Sequence, residues 1–366
     1  MDTPNPPIDE ARPPRAAETL DAVAVHTWLA AQVPDLAGAA APEVLQFPGG
    51  ASNLTYLLRY GGDPPRELVL RRPPFGARAR SAHDVLREAR LMRALRPHYP
   101  VVPEIVALCD DPGPLGCDFY VMERLRGTIL RRELPAALAL TPEQTRQLCL
   151  DVLDRQIALH AVDWRAAGLA GLGQGEGYAR RQIDGWTRRY RDARTPDVPD
   201  LEGVMAWLDA RTPQTESAIC LIHNDFRFDN VVLDASTGGQ PRVIGVLDWE
   251  LATLGDPLMD LGSSLAYWIG DDDPPGMRAL RNQPTHAPGM LTRAEVIAHY
   301  AKRTGRGVDD FRFYLVYGLF RLAGILQQIF KRYTEGHAAN PEFAKFGRMV
   351  GVLAARCDDL MAGGKV

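Results

Sequence analysis

Between two short apolar runs, residues 221–234 read LIHNDFRFDNVVLD, which sets one histidine, three aspartates and two asparagines into a single loop. A turn needs only one or two such groups. A buried carboxylate carries a large desolvation cost unless a cation or several donors meet it, so this density points to metal or proton chemistry. The spacing is His223-x-Asp225-x4-Asn230, and 18 residues beyond Asn230 a second apolar run, VIGVLDWE, ends on Asp248. If the two runs form a hairpin, Asn230 and Asp248 come side by side. An amide and a carboxylate oxygen suit Mg²⁺ when phosphate oxygens and water complete its shell. Asp225 then lies near the metal without binding it, placed to orient a hydroxyl. Base, amide and carboxylate are together the parts of a phosphoryl-transfer site.

The elements that must hold these groups divide the chain by texture. TLDAVAVHTWLAAQV (19–33) has helical spacing, and VLQF, NLTYLLRY and ELVLRR then read as strands separated by GGAS and GGDPP. AHDVLREARLMRALR (82–96) returns to a helical pattern with Val85, Leu86, Leu91, Met92 and Leu95 on one face, and EIVALC and DFYVMERL return to strands. Beyond residue 124 helices dominate, starting with TPEQTRQLCLDVLDRQIALHAV, which opens on a Thr cap with Pro at the first position. Short strands interrupt them at 219–248, and DDDPPG (271–276) and NQPTHAPG (282–289) read as surface loops. The expected division is a polar, Pro-rich, disordered tail (1–17), a β-rich lobe (18–124) and a larger mainly helical lobe (125–366).

Composition narrows the partner. The chain has 366 residues, is 46% hydrophobic and carries a formal net charge of -4, which disfavours a dedicated nucleic-acid or membrane-surface protein and favours a small-molecule partner. No run of about 18 apolar residues is evident. The five cysteines are scattered without CxxC spacing, so a reducing, cytoplasmic setting is expected, and the sequence sets no oligomeric state.

The stretches FPGGASNLTYLL, LVLRRPP, SAHDVLREAR, FYVMERLRG, LHAVDW, HNDFRFDN and VLDWELATLGDPLMDLG, in that order over residues 43–262, resemble the aminoglycoside phosphotransferase and choline kinase family. These are relatives of the protein kinases, and the likeness is greatest to the bacterial and acyl-CoA-dehydrogenase-associated branch. The resemblance implies an α+β, protein-kinase-like, two-lobed fold and transfer of the γ-phosphate of ATP, with Mg²⁺, to the hydroxyl of a small molecule. It makes Asp225 the catalytic aspartate and Asn230 and Asp248 the metal ligands. Gly50, Ala51 and Ser52 become the phosphate-covering loop, and Met122, Glu123 and Leu125 the adenine-binding hinge. Asp260 becomes a brace for the catalytic loop; His223 itself reads as a packed, hydrogen-bonded core histidine rather than a proton carrier.

Two departures stand out. The family loop commonly reads His-Gly-Asp, whereas this chain has Asn224 at the middle position, a residue that tolerates the left-handed backbone better than most. The family also places a lysine on the third strand, paired with a helix glutamate. The only lysines here are Lys302, Lys331, Lys345 and Lys365. Arg71 stands in that place with Glu88 as its partner, and arginine grips phosphate bidentately. Strand alternation sends Arg71 and Arg72 to opposite faces without saying which face is inward, so Arg72 stays open.

Asp256 before Pro257 reads as a helix cap, Glu250 as a metal helper or an arginine's counter-ion, and His160 as a core histidine. The arginines of GYARRQIDGWTRRYRDAR (177–194) are awkward for a polycationic antibiotic, so a neutral or anionic alcohol, or a hydroxyacyl thioester by analogy with the fused branch, is the expected acceptor. The rival readings are a nucleotide-binding pseudokinase acting as an interaction module, favoured by the missing lysine, and a metal-dependent hydrolase. The hydrolase leaves the hinge-like strand without a purpose.

Overall fold

The computed structural model describes residues 10–48, 53–75, 84–235, 239–307, 309–338 and 340–366. By contact the chain sorts into two compact units: Met1–Ile129 with Arg165–Leu169 and Val231–Glu250, and the remainder. The segment 231–250 thus groups with the first unit, across the contiguous division expected at 124/125.

In the first unit, β1 (Glu43–Gln46), β2 (Leu54–Tyr60), β3 (Arg66–Arg72), β4 (Ile105–Cys109) and β5 (Phe119–Glu123) form one antiparallel sheet in the order β1-β2-β3-β5-β4. Side chains alternate across a strand, so Tyr56, Leu58 and Tyr60, Leu68 and Leu70, and Phe119 and Val121 share a face. That face packs with Val25 and Leu29 of α1 (Ala22–Gln32) into one core. Arg71 belongs to the other face, with Val69, and its strand neighbours are Thr55 and Tyr120. α2 (Val85–Leu95) is capped by Asp84, whose carboxylate accepts from Arg87 N at 2.8 Å. It buries Val85, Leu86, Leu91, Met92 and Leu95, and with them Glu88. Upstream, Arg12 bridges Gln46, so the tail expected to be disordered is laid against β1 from that point. A second small sheet joins β6 (Thr128–Ile129), β8 (Val231–Asp234) and β9 (Arg242–Val246), with Val231 opposite Val246.

The second unit contains α3 (Pro142–His160), α4 (Tyr178–Ala193), α5 (Glu202–Arg211), α6 (Pro257–Leu265), the short α7 (Pro275–Arg278), α8 (Arg293–Thr304), α9 (Arg312–Thr334) and α10 (Phe346–Met361). A two-stranded ladder of β7 (Cys220–Ile222) and β10 (Thr253–Gly255) carries the polar loop. α3 begins with a Thr141–Gln144 capping box and α6 with Asp256 accepting from Leu258 N, as their sequences imply. α9 is apolar and long enough to cross a membrane by length and composition, although Arg321, Gln327 and Gln328 interrupt its apolar residues. Its apolar window is 78% buried, as befits a core helix. α6 and α9 cross at glycines: a Cβ on Gly262 would lie 2.3 Å from Tyr314 O and one on Gly318 2.2 Å from Gly262 O, so only glycine permits this approach. The two supposed surface loops are not wholly so. Asp273 is buried on Arg293 at 2.9 Å and accepts from Gly270 N, while Gln283 and Thr285 are buried as well.

Candidate functional site

Each unit holds one cluster of polar groups. In the second, β7 runs into His223-Asn224-Asp225, and the turn is tight because Asn224 is left-handed at φ 65. Asn224 does more than tolerate the turn: its Oδ1 accepts from Tyr178 Oη at 2.8 Å and its Nδ2 donates to Leu251 O at 3.0 Å. Below the turn lies Asp260 on α6, fully buried. Its Oδ1 accepts from Asn224 N at 2.6 Å, and its Oδ2 meets His160 Nε2 at 2.9 Å, Gln156 Nε2 at 3.0 Å and His223 N at 3.4 Å. Burial alone would raise the Asp260 pKa, but the hydrogen bonds from His160 and Gln156 override it and hold the carboxyl below its ordinary value.

Asp225 is thereby presented on a braced loop. His223 is fully buried, and its Nδ1 accepts from Asp225 N at 3.3 Å. The Asp225 carboxylate takes Asn230 Nδ2 at 3.0 Å on Oδ2 and meets Arg227 Nε at 3.2 Å on Oδ1. Because the Asn230 amide nitrogen also donates to Asp225 O at 2.9 Å, its carbonyl oxygen is the atom left for a cation. Arg227 bonds Asp229 at 3.1 Å and stacks over the Tyr267 ring at 4.5 Å.

In the first unit the cluster is built on one guanidinium. Arg71 Nη1 lies 3.1 Å from Glu88 Oε1, and Nη2 lies 2.7 Å from Asp248 Oδ1 and 3.4 Å from Glu250 Oε2. Glu88 Oε1 also accepts from Trp249 N, and Glu250 Oε2 from Asn53 Nδ2. Three carboxylates share one cation. Burial would lower the Arg71 pKa, but Glu88 and the other anions hold it well above its ordinary value. The acids bear the opposite consequence: Glu88, stripped of water and crowded by Asp248 and Glu250, is pushed up to about 7. Asp248 is itself left-handed at φ 67 and 33% exposed. Arg72 is elsewhere, on the opposite face, with its Nε donating to Pro73 O and its guanidinium over the Phe75 ring at 3.8 Å.

Met122 and Glu123 end β5, with Met122 opposite Val69 and Glu123 bonded to Arg66 at 3.2 Å. Leu125 follows, and its backbone N–H donates to no group among the described residues. Gly50, Ala51 and Ser52 lie outside the described residues. Among the described residues no group of three or more His, Cys, Asp or Glu side chains is set to hold a metal alone. Mg²⁺ does not require one, since one or two carboxylates suffice with phosphate oxygens and waters. Sequence reasoning passed over Arg227, Tyr267 and Arg321. The signal for Arg321 was present, for it is the only charge between Phe313 and Phe330 in an otherwise apolar helix.

The model of the phosphotransferase enzyme family matches residues 43–296. Acyl-CoA dehydrogenase family member 10 of Mus musculus is 35% identical over 314 residues, which are 85% of this chain and 28% of that relative, so the chain spans little more than a quarter of it. A crystal structure from Ralstonia eutropha, provisionally described as an aminoglycoside phosphotransferase, superposes with TM-score 0.78 at 32% identity, over 95% of this chain and 100% of that one. APH(2")-IIia, solved with GDP and kanamycin, superposes at 0.60 with 16% identity, over 91% of this chain and 98% of its own, and so speaks to the fold alone. The fold is α+β and protein-kinase-like, with a β-rich first unit and a mainly helical second.

Proposed function

The chain belongs to the phosphotransferase enzyme family, and from that premise we propose that it is an ATP- and Mg²⁺-dependent kinase acting on a hydroxyl of a small molecule. The observation that carries the reading is the setting of Asp225: a carboxylate at the tip of a left-handed turn, aimed by Asn230 and Arg227 and locked from below by Asp260. In the proposed step the acceptor oxygen attacks the γ-phosphorus. A new O–P bond forms as the bond to the β–γ bridging oxygen breaks, ADP leaves with that electron pair, and the acceptor proton passes to Asp225.

Asn230 and Asp248 are the proposed metal ligands, and the excess of acids around Arg71 supports a divalent cation at Asp248. The register of Val231 opposite Val246 supports it too, because each ligand lies within two residues of that pair along the chain. When bound, Mg²⁺ supplies charge neutralisation to the phosphate oxygens. Arg71, held by Glu88, is the proposed phosphate-binding cation in place of lysine, with Gly50, Ala51 and Ser52 over the phosphates. The Leu125 N–H, which donates to no group among the described residues, supports adenine binding along Met122, Glu123 and Leu125. In this assignment 18–124 is the nucleotide-binding lobe and 125–366 the catalytic and substrate-binding lobe, in a cytoplasmic protein. The acceptor is a neutral or anionic alcohol or a hydroxyacyl thioester rather than an antibiotic. The likeness to an acyl-CoA dehydrogenase family member supports the thioester.

A second reading, a nucleotide-binding pseudokinase serving as an interaction module, is favoured by one observation: Arg71 Nη2 already occupies Asp248 at 2.7 Å. Turnover separates the two. Purified protein with Mg·ATP and a panel of alcohols should release ADP. Asp225→Asn should keep nucleotide binding while turnover falls by a factor on the order of 10² to 10⁴, as for lost general-base assistance. Acceptor-independent silence in the wild type would favour the pseudokinase, and unchanged turnover in the variant would remove Asp225 from the mechanism.

A further inference from the structure

Arg321 stands near the middle of α9 and is 6% exposed, yet it has no hydrogen-bond or ion-pair partner among the described residues. Its recorded contact is with an aromatic face: its guanidinium lies 5.7 Å from the Trp186 ring of α4. The setting is built rather than accidental. Trp186 packs onto Gly324, one turn beyond Arg321, where a Cβ would come within 3.0 Å of the ring. On the preceding turn, Tyr317 Oη donates to Gln182 Oε1 at 3.4 Å. Positions 317, 321 and 324 share one face of α9, and 182 and 186 one face of α4. A buried guanidinium with no carboxylate bonded to it has lost its hydration without gaining a hydrogen-bonded counter-ion, so an anionic guest can supply the bonds that folding removed.

The groups acting electrostatically on Arg321 are Tyr317, Tyr267, Asp225 and Tyr178. Asp225 is near enough to be felt but is not in ion-pair contact. Its own cationic partner is Arg227, which also stacks on Tyr267. Arg321 and the proposed base therefore both act electrostatically on the same tyrosine.

We propose that Arg321 selects the acceptor: the alcohol that is phosphorylated carries an anionic group, a carboxylate or a phosphate ester, bound by Arg321 while the hydroxyl meets Asp225. This rests on the phosphotransferase reading above, and the transfer step is the one written there.

The test uses the full chain with Mg·ATP, following ADP release with short hydroxy carboxylates, their neutral amides, glycerol phosphate, ethanolamine and kanamycin. The anionic acceptors should exceed the matched amides in kcat/KM by about 10- to 100-fold, the range of a charge-assisted hydrogen-bonded contact. The ratio of hydroxy carboxylate to glycerol phosphate identifies which anion fits. Arg321→Gln should raise KM for the anionic acceptor by a similar factor, leave the amide unchanged and preserve the rise in Tm caused by Mg·ATP. Equal use of neutral or cationic alcohols by the wild type would overturn the proposal even if the variant failed to fold. So would an Arg321→Gln protein that slows every acceptor alike. Absence of both nucleotide binding and turnover would instead strike the phosphotransferase reading and take this inference with it.

Discussion

Glu88 in the first unit and Asp260 in the second are equally buried, at 1% and 0% exposure, and their acidities move in opposite directions. Burial is therefore not what distinguishes them. Asp260 has four donors and, among the described residues, no second carboxylate at hydrogen-bonding distance, so its negative charge is satisfied in place. Glu88 shares its one cation with Asp248 and Glu250, so its charge is contested. The satisfied carboxylate suits a brace. The contested cluster suits a place where a further positive charge arrives.

The largest effect expected from this contrast is structural. Asp260→Ala removes the carboxylate that accepts from His160, Gln156 and the His223 and Asn224 N–H groups and should cost about 3–5 kcal/mol of unfolding free energy, read by urea titration. A loss under about 1 kcal/mol would mean that Asp260 does not hold the loop. Next in size is ligand stabilisation. Mg·ATP at ~100 times its dissociation constant should add roughly 2.7 kcal/mol to the wild type. Asp248→Ala should lose the part that depends on the metal, and Asp260→Asn, if folded, should keep it. The same shift in both variants would erase the distinction between the clusters.

The smallest effect is in pH dependence. Glu88, pushed up to about 7 from an ordinary 4.5, stabilises the fold fully only below the lower value and loses that contribution as pH rises through about 7. Asp260, held below its ordinary 3.8, contributes fully above that value and loses its share as pH falls through the folded pKa. Between pH 5 and pH 8 the wild type should therefore lose about 2 kcal/mol relative to Glu88→Gln, while Asp260→Asn should run parallel to it over that window. Parallel curves for Glu88→Gln as well would show that Arg71 satisfies Glu88 fully.

What was legible in the sequence follows how far each contact reaches along the chain. The polar loop was readable because Asp225, Asn230 and the strands around them are local, and so was the cap at Asp256. The pairing of Arg71 with Glu88 was half readable: alternation separates Arg71 from Arg72, but only the packing of α1 on the face of Leu68 and Leu70 settles which arginine turns toward α2. Asp273 was misread because a run of three acids looks solvated, and its partner Arg293 lies on a later helix. β6 and β10, of two and three residues, are too short to show a period. The lone charge of Arg321 was visible in the sequence but its surroundings were not, since nothing near it says that α9 passes Trp186.

The arginine at position 71 carries one further consequence. Reagents and metabolites that acylate amines act on lysine, whose ε-nitrogen is a nucleophile whenever it sheds its proton, and a guanidinium offers them nothing comparable. With no lysine before Lys302, the first unit presents no side-chain amine to modify. Its central cation gives an acylating agent no nucleophilic amine to attack.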